Sequence, residues 1–248
     1  MPEFTSQGLR LRYEVAGPWE APPIVLVHGF ASDFETNWVG SRWRTTLEDA
    51  GFLVIGMDCR GHGQSDKPHD VDAYARPVMA ADVANLLDYL DVRRADYLGY
   101  SMGSRIGFEL AMHAPERLGR MVLGGVGYRG ADHSFDPELV ARRLRGDESL
   151  GDEHGFYRFA TSRPYNDLEA LACCIVGQET PLPEVPLEEI ENQVLLVIGD
   201  RDELAGDAPM LVERLPHARL VTLQGRNHMS AVPARPFKEA ALAFLAED

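Results

Sequence analysis

Residues 95–113 read ADYLGYSMGSRIGFELAMH, and they carry the clearest structural pattern in the chain. Residues 95–100 form a short apolar run that predicts a buried strand, and residues 102–113 have the spacing of a helix. Gly99, Ser101 and Gly103 form a G-x-S-x-G pattern at the point where the strand ends and the helix begins. Small residues on both sides of the serine allow a sharp turn that exposes its hydroxyl. The stretch therefore predicts a nucleophilic serine at one edge of a sheet.

Strand and helix patterns alternate along most of the chain. Short apolar runs predict strands at 24–28, 53–58, 95–100, 121–125, 194–199 and 218–223. Periodic apolar positions predict helices from about Met79 to Leu90, from Met102 to about His113, and from about Pro233 to Ala246. We therefore expect the α/β class, with a mostly parallel central sheet flanked by helices.

The alternation is interrupted between residues 127 and 190. This segment is richer in charge and proline, shows no clear strand, and has helix-like pieces at about 137–145, 153–163 and 167–179. A chain of 248 residues fits a single α/β core. We therefore predict a core formed by residues 1–126 and 191–248, with residues 127–190 as a helical insertion between two strands.

The serine needs a base and an orienting acid, because a hydroxyl at its free pKa is a poor nucleophile. Asp202 lies on the loop after the strand at 194–199, and His228 lies on the loop after the strand at 218–223. Open α/β sheets assemble their sites at the carboxyl ends of such strands. We predict Ser101 as the nucleophile, His228 as the base and Asp202 as the acid.

Each of these assignments has an alternative. Asp200 competes with Asp202, and either carboxylate could bind its own backbone in a turn. Asp202 is favoured because a residue farther past the strand end can turn back toward the neighbouring loop. Asp132 is a third candidate for the acid. His28 and His62 also lie on loops, but they precede Ser101 in segments suited to other roles.

Further motifs resemble those of the α/β-hydrolase superfamily over nearly the whole chain. Residues 28–30, HGF, resemble its oxyanion loop, and residues 58–65, DCRGHGQS, resemble its D-x-R-G-x-G-x-S segment. Residues 199–202, GDRD, resemble its acid motif, and residues 225–228, GRNH, its histidine loop. The chain order Ser, Asp, His is also that of this superfamily. The resemblance implies an α/β-hydrolase fold with a small helical cap inserted after the sixth strand.

The resemblance also implies roles for backbone groups and for neighbouring residues. The amides of Phe30 and Met102 would form the oxyanion hole. We expect substrate contacts from Gly29, Tyr100 and Met229, and we expect no cofactor and no metal. Relatives resembling epoxide hydrolases or haloalkane dehalogenases need an aspartate nucleophile, whereas position 101 is a serine.

Hydrolysis of a small carboxylic ester through an acyl-enzyme is therefore the leading prediction. The same triad serves C–C bond hydrolysis of diketones, lactone opening and thioester cleavage, and a cofactor-free perhydrolase reaction is a further alternative. Outside the enzymes, the alternative is a small-ligand receptor on the same fold. The sequence does not separate these chemistries, because they share the nucleophile, the base and the acid.

Charge and composition limit the partners. The chain has 24 Lys+Arg against 39 Asp+Glu, a formal net charge of −15, which argues against nucleic acid and anionic membranes. Residues 125–130 match G-x-G-x-x-G, but no helix begins directly after them, so we predict no dinucleotide site. The N-terminus has no apolar leader, and no apolar run reaches about 18 residues, so we expect a cytoplasmic protein.

The insertion carries two groups of residues that bear on substrate choice. Its aromatic residues could line a pocket or anchor the cap onto the core: Phe135, Phe156, Tyr157, Phe159 and Tyr165. Its arginines could locally reverse the negative field of the chain: Arg142, Arg143, Arg145 and Arg158. Both groups leave the identity of the substrate open.

Overall fold

The computed structural model describes residues 2–128, 135–152, 155–178 and 187–247. The strands are β1 (Glu3–Ser6), β2 (Leu9–Ala16), β3 (Pro23–Val27), β4 (Leu53–Met57), β5 (Ala95–Tyr100), β6 (Leu118–Gly124), β7 (Val194–Gly199) and β8 (Ala218–Leu223). They form one sheet in the order β1-β2-β4-β3-β5-β6-β7-β8. Strands β3 to β8 are parallel, and β2 pairs antiparallel with β1 and β4. The predicted mostly parallel sheet is confirmed.

The sequence patterns missed β1 and β2. Both strands have alternating or partial burial, since they lie at one side of the sheet and are partly exposed. The predicted strands were recognised by near-continuous apolar runs, which are typical of strands buried on both faces. For the same reason β6 was predicted too short: it begins at Leu118, before the continuous apolar run that starts at Met121.

Helices cover both faces of the sheet. They are α1 (Trp43–Asp49), α2 (Arg76–Tyr89), α3 (Met102–His113), α4 (Pro137–Leu144), α5 (Phe156–Thr161), α6 (Leu168–Gly177), α7 (Ala208–Arg214), α8 (His228–Ala231) and α9 (Arg235–Leu245). Side chains alternate along each strand, so Val25 and Val27 pack in the cluster that contains α2 and α3. Ile24 and Leu26 pack in the cluster that contains α1 and α9. None of the described helices combines the length and the apolar character that a membrane crossing needs.

Helix α3 approaches the sheet closely because two of its residues lack a side chain. A Cβ atom on Gly103 would lie 2.0 Å from the carbonyl oxygen of Val27, and one on Gly107 would lie 2.5 Å from the Tyr97 ring. The Tyr97 hydroxyl donates a hydrogen bond to the carbonyl oxygen of Gly103 at 2.6 Å. These contacts hold the first turn of α3 against β3 and β5, and Ser101 directly precedes that turn.

Between β6 and β7 the chain forms α4, α5 and α6, in the segment where the sequence predicts a helical insertion. Helices α4 and α6 contact each other, and their buried side chains join the apolar cluster of α2 and α3. Cys174 of α6 lies with its Sγ 3.8 Å from Sδ of Met102. The predicted helix ends at residues 153 and 179 lie outside the described residues. The limits of the insertion, residues 127 and 190, stay a prediction.

Candidate active site

Ser101 occupies a strained turn between β5 and α3. Its backbone has φ 53° and ψ −110°, a combination that is costly for any residue with a side chain. The turn is held from both sides, because the Ser101 N–H donates to the carbonyl oxygen of Gly124 at 2.8 Å and α3 packs on the sheet. Ser101 therefore lies at the carboxyl edge of the parallel strands, on the wall of a cavity.

Asp202 and His228 form a hydrogen-bonded pair at the same edge. Nδ1 of His228 lies 2.9 and 2.8 Å from the two carboxylate oxygens of Asp202, whose side chain is fully buried. The carboxylate also accepts the N–H groups of Leu204 and Ala205, each at 3.0 Å. Because a carboxylate only accepts hydrogen bonds, Nδ1 must carry the proton, which leaves Nε2 of the neutral ring as an acceptor.

The backbone of His228 is fixed by its neighbours. Asn227 and Ser230 form a reciprocal cap at the start of α8: the Asn227 side chain accepts the Ser230 N–H at 2.9 Å, and Ser230 Oγ accepts the Asn227 N–H at 3.0 Å. The Tyr100 hydroxyl donates to the carbonyl oxygen of His228. Burial raises the pKa of Tyr100 well above its usual value, so this hydroxyl stays a neutral donor.

Ser101 and His228 line the same cavity without a direct hydrogen bond between their side chains in the described part of the chain. Catalytic hydrogen bonds are often long before substrate binds and shorten only in the complex. The structure thus joins Asp202 to His228 directly and brings Ser101 to the same cavity wall.

The alternative residues have other contacts. Asp200 is exposed and accepts the N–H of Arg226 at 3.2 Å. Asp132 lies outside the described residues. His28 is buried, with Nδ1 2.8 Å from the Gly29 carbonyl oxygen and Nε2 accepting the N–H of Cys59 at 3.0 Å. Burial lowers the pKa of His28, and it lowers that of His62 to about 3. Neither histidine lines the cavity beside Ser101.

The two amides predicted to bind an oxyanion are available in the described part of the chain. Neither the Phe30 N–H nor the Met102 N–H donates to another described residue. Met102 begins α3, whose first N–H groups have no partner within the helix and carry its positive dipole end. By contrast, the neighbouring Gly29 N–H is occupied, since it donates to Oδ1 of Asn37 at 3.1 Å. The Met102 side chain itself is buried.

The cavity has a volume of about 850 Å³, within the range of pockets for small molecules. The predicted substrate contacts Gly29, Tyr100 and Met229 all line it. Of the aromatic residues in the insertion, Phe156 and Phe159 line it as well. The other three pack elsewhere: Phe135 lies 5.7 Å from the Phe156 ring, Tyr157 stacks on Arg143, and the Tyr165 hydroxyl donates to Asp33 at 2.7 Å. The sequence left open whether these aromatic residues line a pocket or pack within the protein. In the structure, two of them line the cavity and three do not.

Other wall residues have no sequence signal that could have identified them. Thr36, Asn37 and Arg163 line the cavity, although they belong to no motif. Thr36 and Asn37 lie on a short helical turn after the HGF segment, and Arg163 follows α5. Within the described residues, no group of three or more His, Cys, Asp or Glu side chains is arranged to hold a metal ion.

The arrangement of sheet, serine turn and histidine loop matches a known family. The alpha/beta hydrolase fold family matches residues 22–162 of this chain, more than half of its length. The chain belongs to this family. The matched residues include the HGF segment, the serine turn and the start of the insertion. The fold and the enzyme class predicted from the sequence are therefore confirmed, and the chain is a hydrolase.

Individual relatives are similar over most of this hydrolase. A hydrolase from Pseudomonas aeruginosa has a structure with TM-score 0.80 and 29% identity, covering 99% of this chain and 98% of its own. The enol-lactonase from Burkholderia xenovorans has TM-score 0.82 and 25% identity, covering 99% and 100%. A Bacillus subtilis protein provisionally named as a 2-succinyl-6-hydroxy-2,4-cyclohexadiene-1-carboxylate synthase is 28% identical and covers 80% of each chain. These names span several reactions, so the fold alone does not set the substrate.

Proposed function

We propose that this hydrolase cleaves a small carboxylic ester through an acyl-enzyme formed on Ser101. The observation that carries the proposal is the buried Asp202 carboxylate bound to Nδ1 of His228, at the edge of the cavity that Ser101 also lines. This pairing leaves Nε2 of His228 free to accept the proton of a serine hydroxyl. The proposal needs no metal and no cofactor.

The proposed reaction has two halves. Oγ of Ser101 attacks the ester carbonyl carbon while Nε2 of His228 takes its proton, and Asp202 stabilises the resulting imidazolium. The N–H groups of Phe30 and Met102 bind the oxyanion of the tetrahedral intermediate. The C–O bond to the alcohol then breaks, and His228 gives the proton to the departing alcohol. Water, activated by His228 in the same way, releases the acid and restores the serine.

We propose that residues 127–190 act as a cap that sets substrate choice. Two observations support this role: Phe156 and Phe159 form part of the cavity wall, and the Phe156 ring lies 5.6 Å from the Phe30 ring on the oxyanion loop. The cavity volume of about 850 Å³ suits a small molecule rather than a polymer. A location in the cytoplasm stays a prediction.

A lactone is the second candidate substrate. A lactone is a cyclic ester, so the same attack, oxyanion and deacylation steps apply to it. The similarity to the enol-lactonase from Burkholderia xenovorans, at 25% identity over 99% of this chain, favours this variant. It differs from the first candidate in one respect: the alcohol stays attached to the acyl group after the first C–O bond breaks.

The proposed function is tested by a panel of purified substrates. We expect turnover of short p-nitrophenyl esters or simple lactones with kcat/KM in the ordinary enzyme range of roughly 10⁴ M⁻¹s⁻¹ or more. Parallel assays with thioesters, a diketone and a peroxide-forming mixture measure the other reactions of the same triad. Folded protein that binds an ester but turns over neither esters nor lactones would contradict the proposal and favour a receptor.

A further inference from the structure

We infer that this hydrolase selects esters that carry a second, anionic group, most simply a carboxylate, which Arg163 binds. The inference rests on the ester hydrolysis proposed above and deepens it. It concerns one part of the cavity wall, formed by Arg163 from the insertion and by Thr36 and Asn37 from the segment after the oxyanion loop.

The Arg163 guanidinium is held in place without being neutralised. Nε lies 3.3 Å from Oγ1 of Thr36, and Nη1 lies 3.2 Å from both the Phe159 carbonyl oxygen and Oγ of Ser162. Its carbon Cζ lies 4.2 Å from the centroid of the Phe159 ring. All of these partners are uncharged. In the described part of the chain no carboxylate forms an ion pair with Arg163, and Nη2 donates to no described atom.

Three of the four arginines that the sequence singled out form ion pairs, whereas the fourth, Arg143, stacks on the Tyr157 ring and does not line the cavity beside Ser101. Arg142 pairs with Asp147 at 2.6 Å, Arg145 with Glu169 at 2.9 Å, and Arg158 with Asp152 at 3.0 Å. The chain carries 39 acidic against 24 basic residues, so partners for arginines are abundant. Nη2 is the guanidinium nitrogen without a described acceptor, and its two N–H groups can donate to the carboxylate of a ligand in the cavity that Arg163 lines.

The charge on the cavity wall has the sign that an anion requires. Among the wall residues that the structure describes, Arg158, Arg163 and Arg201 are cationic, and Glu203 is the one carboxylate. Arg158 is already paired with Asp152 outside the wall set. The net positive wall contrasts with the formal charge of −15 on the whole chain. Local cations in a cleft attract an anionic substrate even when the overall charge is negative.

Asn37 is a further polar side chain of the same wall. Its side chain is 6% exposed, its Oδ1 accepts the Gly29 N–H, and its Nδ2 has no hydrogen-bond partner among the described residues. A buried donor without a partner is costly, so this wall contains a polar group that its described neighbours leave unsatisfied. Asn37 lines the same cavity and adjoins Thr36, the residue that Arg163 contacts.

The same contacts connect the anion site to the nucleophile. A Cβ atom on Gly29 would lie 3.5 Å from Cβ of Ser101 and 3.8 Å from Oδ1 of Asn37. Arg163, Thr36, Asn37 and Gly29 therefore form a continuous wall that ends at Ser101. In the inferred binding mode, an ester with its carbonyl at Ser101 extends along this wall toward Arg163, and half-esters of different length test how far it must extend.

The decisive test compares an anionic ester with a neutral ester of the same shape. Monoethyl glutarate carries the carboxylate, and its primary carboxamide analogue replaces that group without changing the size. We expect the wild-type enzyme to favour the best half-ester of succinate, glutarate or adipate over its carboxamide by roughly tenfold or more in kcat/KM. Arg163→Gln should remove this preference, with a loss of roughly 10- to 100-fold for the anion and less than about threefold for the carboxamide.

Two further variants separate anion binding from a structural effect. Arg163→Lys keeps the charge but loses the planar guanidinium and its Nη2 N–H groups, so its preference should be intermediate. Arg142→Gln removes the same charge from an exposed arginine outside the cavity and should leave the preference unchanged. The inference would be overturned if Arg142→Gln abolished the preference for the anion as fully as Arg163→Gln does. It would also be overturned if Arg163→Gln lowered kcat/KM equally for the anion and for the carboxamide.

Binding measurements keep the inference testable without turnover. Calorimetry with Ser101→Ala, with and without Arg163→Gln, measures the affinity for monoethyl glutarate, its homologues and their carboxamides. We expect tighter binding of the anion, weakened roughly tenfold or more by Arg163→Gln. No preference for any anion would overturn the inference and leave ester hydrolysis intact. Failure to hydrolyse any ester would refute the proposed function, and these affinities would still decide the inference.

Discussion

Replacing Ser101 with alanine is expected to lower kcat/KM for the best ester by roughly 10⁴-fold or more. The reason is that the acyl-enzyme cannot form, because alanine has no atom that can attack the carbonyl carbon. The remaining activity would come from the oxyanion groups and from substrate binding alone. Steady-state kinetics on the purified variant measures the loss, with substrate in excess and enzyme at high concentration.

The fold of this variant should be unchanged, because no described hydrogen bond of the Ser101 hydroxyl stabilises the native state and alanine keeps the same backbone strain. Thermal unfolding of both proteins checks this point. Ser149→Ala is the matched control, since Ser149 is exposed, contacts Asp147 and lies outside the cavity. A Ser101→Ala enzyme that kept turnover within about tenfold of wild type would refute the serine mechanism.

Replacing Asp202 with asparagine is the second large expected effect, a fall in kcat of roughly 10³- to 10⁴-fold. Asparagine preserves the shape of the site. Its amide oxygen is the one atom that can accept the Leu204 and Ala205 N–H groups, so it takes the place of the carboxylate oxygen that accepts them now. The NH₂ group then faces Nδ1 of His228 and donates to it. Nε2 therefore carries the proton and can no longer accept one from Ser101.

Asp200→Asn provides the control for this prediction. Asp200 carries the same charge two positions earlier, but it is exposed and contacts the Arg226 backbone instead of His228. We expect its kcat to stay within about threefold of wild type, because exposed substitutions of this kind have small effects. Equal losses in the two variants would mean that the carboxylates act through general electrostatics, which contradicts the assigned role of Asp202.

The elements nearest to the chemistry could be predicted from the sequence because their signals are local. One contiguous segment forms the strand, the turn at Ser101 and helix α3. Its glycines indicate that the helix lies close to the sheet. Asp202 and His228 could be singled out as candidates because each follows a predicted strand: β7 is a buried apolar run, and β8 is mostly apolar although it is only partly buried at the edge of the sheet. Strands β1 and β2 escaped because polar or charged residues interrupt their apolar positions, so neither contains an apolar run.

The substrate-facing wall could not be predicted in the same way. Arg163 reaches the cavity through a contact with Thr36, a residue far away in the sequence, and neither belongs to a motif. Most of the arginines that the sequence offered as a local positive field are paired with nearby carboxylates, as Arg142 is with Asp147 and Arg145 with Glu169. The Arg145–Glu169 pair depends on how helices α4 and α6 pack, which sequence periodicity does not determine.

The choice between Asp200 and Asp202 shows a similar limit. Both residues follow β7, and either could have turned toward the histidine loop. The structure pairs Asp202 with His228 because residues 202–205 form a turn in which the carboxylate accepts two backbone N–H groups. The position of Asp202 farther past the strand favours its pairing with His228. The conformation of the turn determines that Asp202, and not Asp200, is the buried carboxylate.

Covalent labelling measures whether Ser101 is an activated nucleophile. The protein is exposed to a fluorophosphonate, its intact mass is measured, and the modified peptide is sequenced. We predict a single adduct on Ser101 that is lost in His228→Ala and retained in His217→Ala, whose histidine is exposed and pairs with Glu191. An unlabelled folded protein, or an adduct on any other residue, would contradict the account.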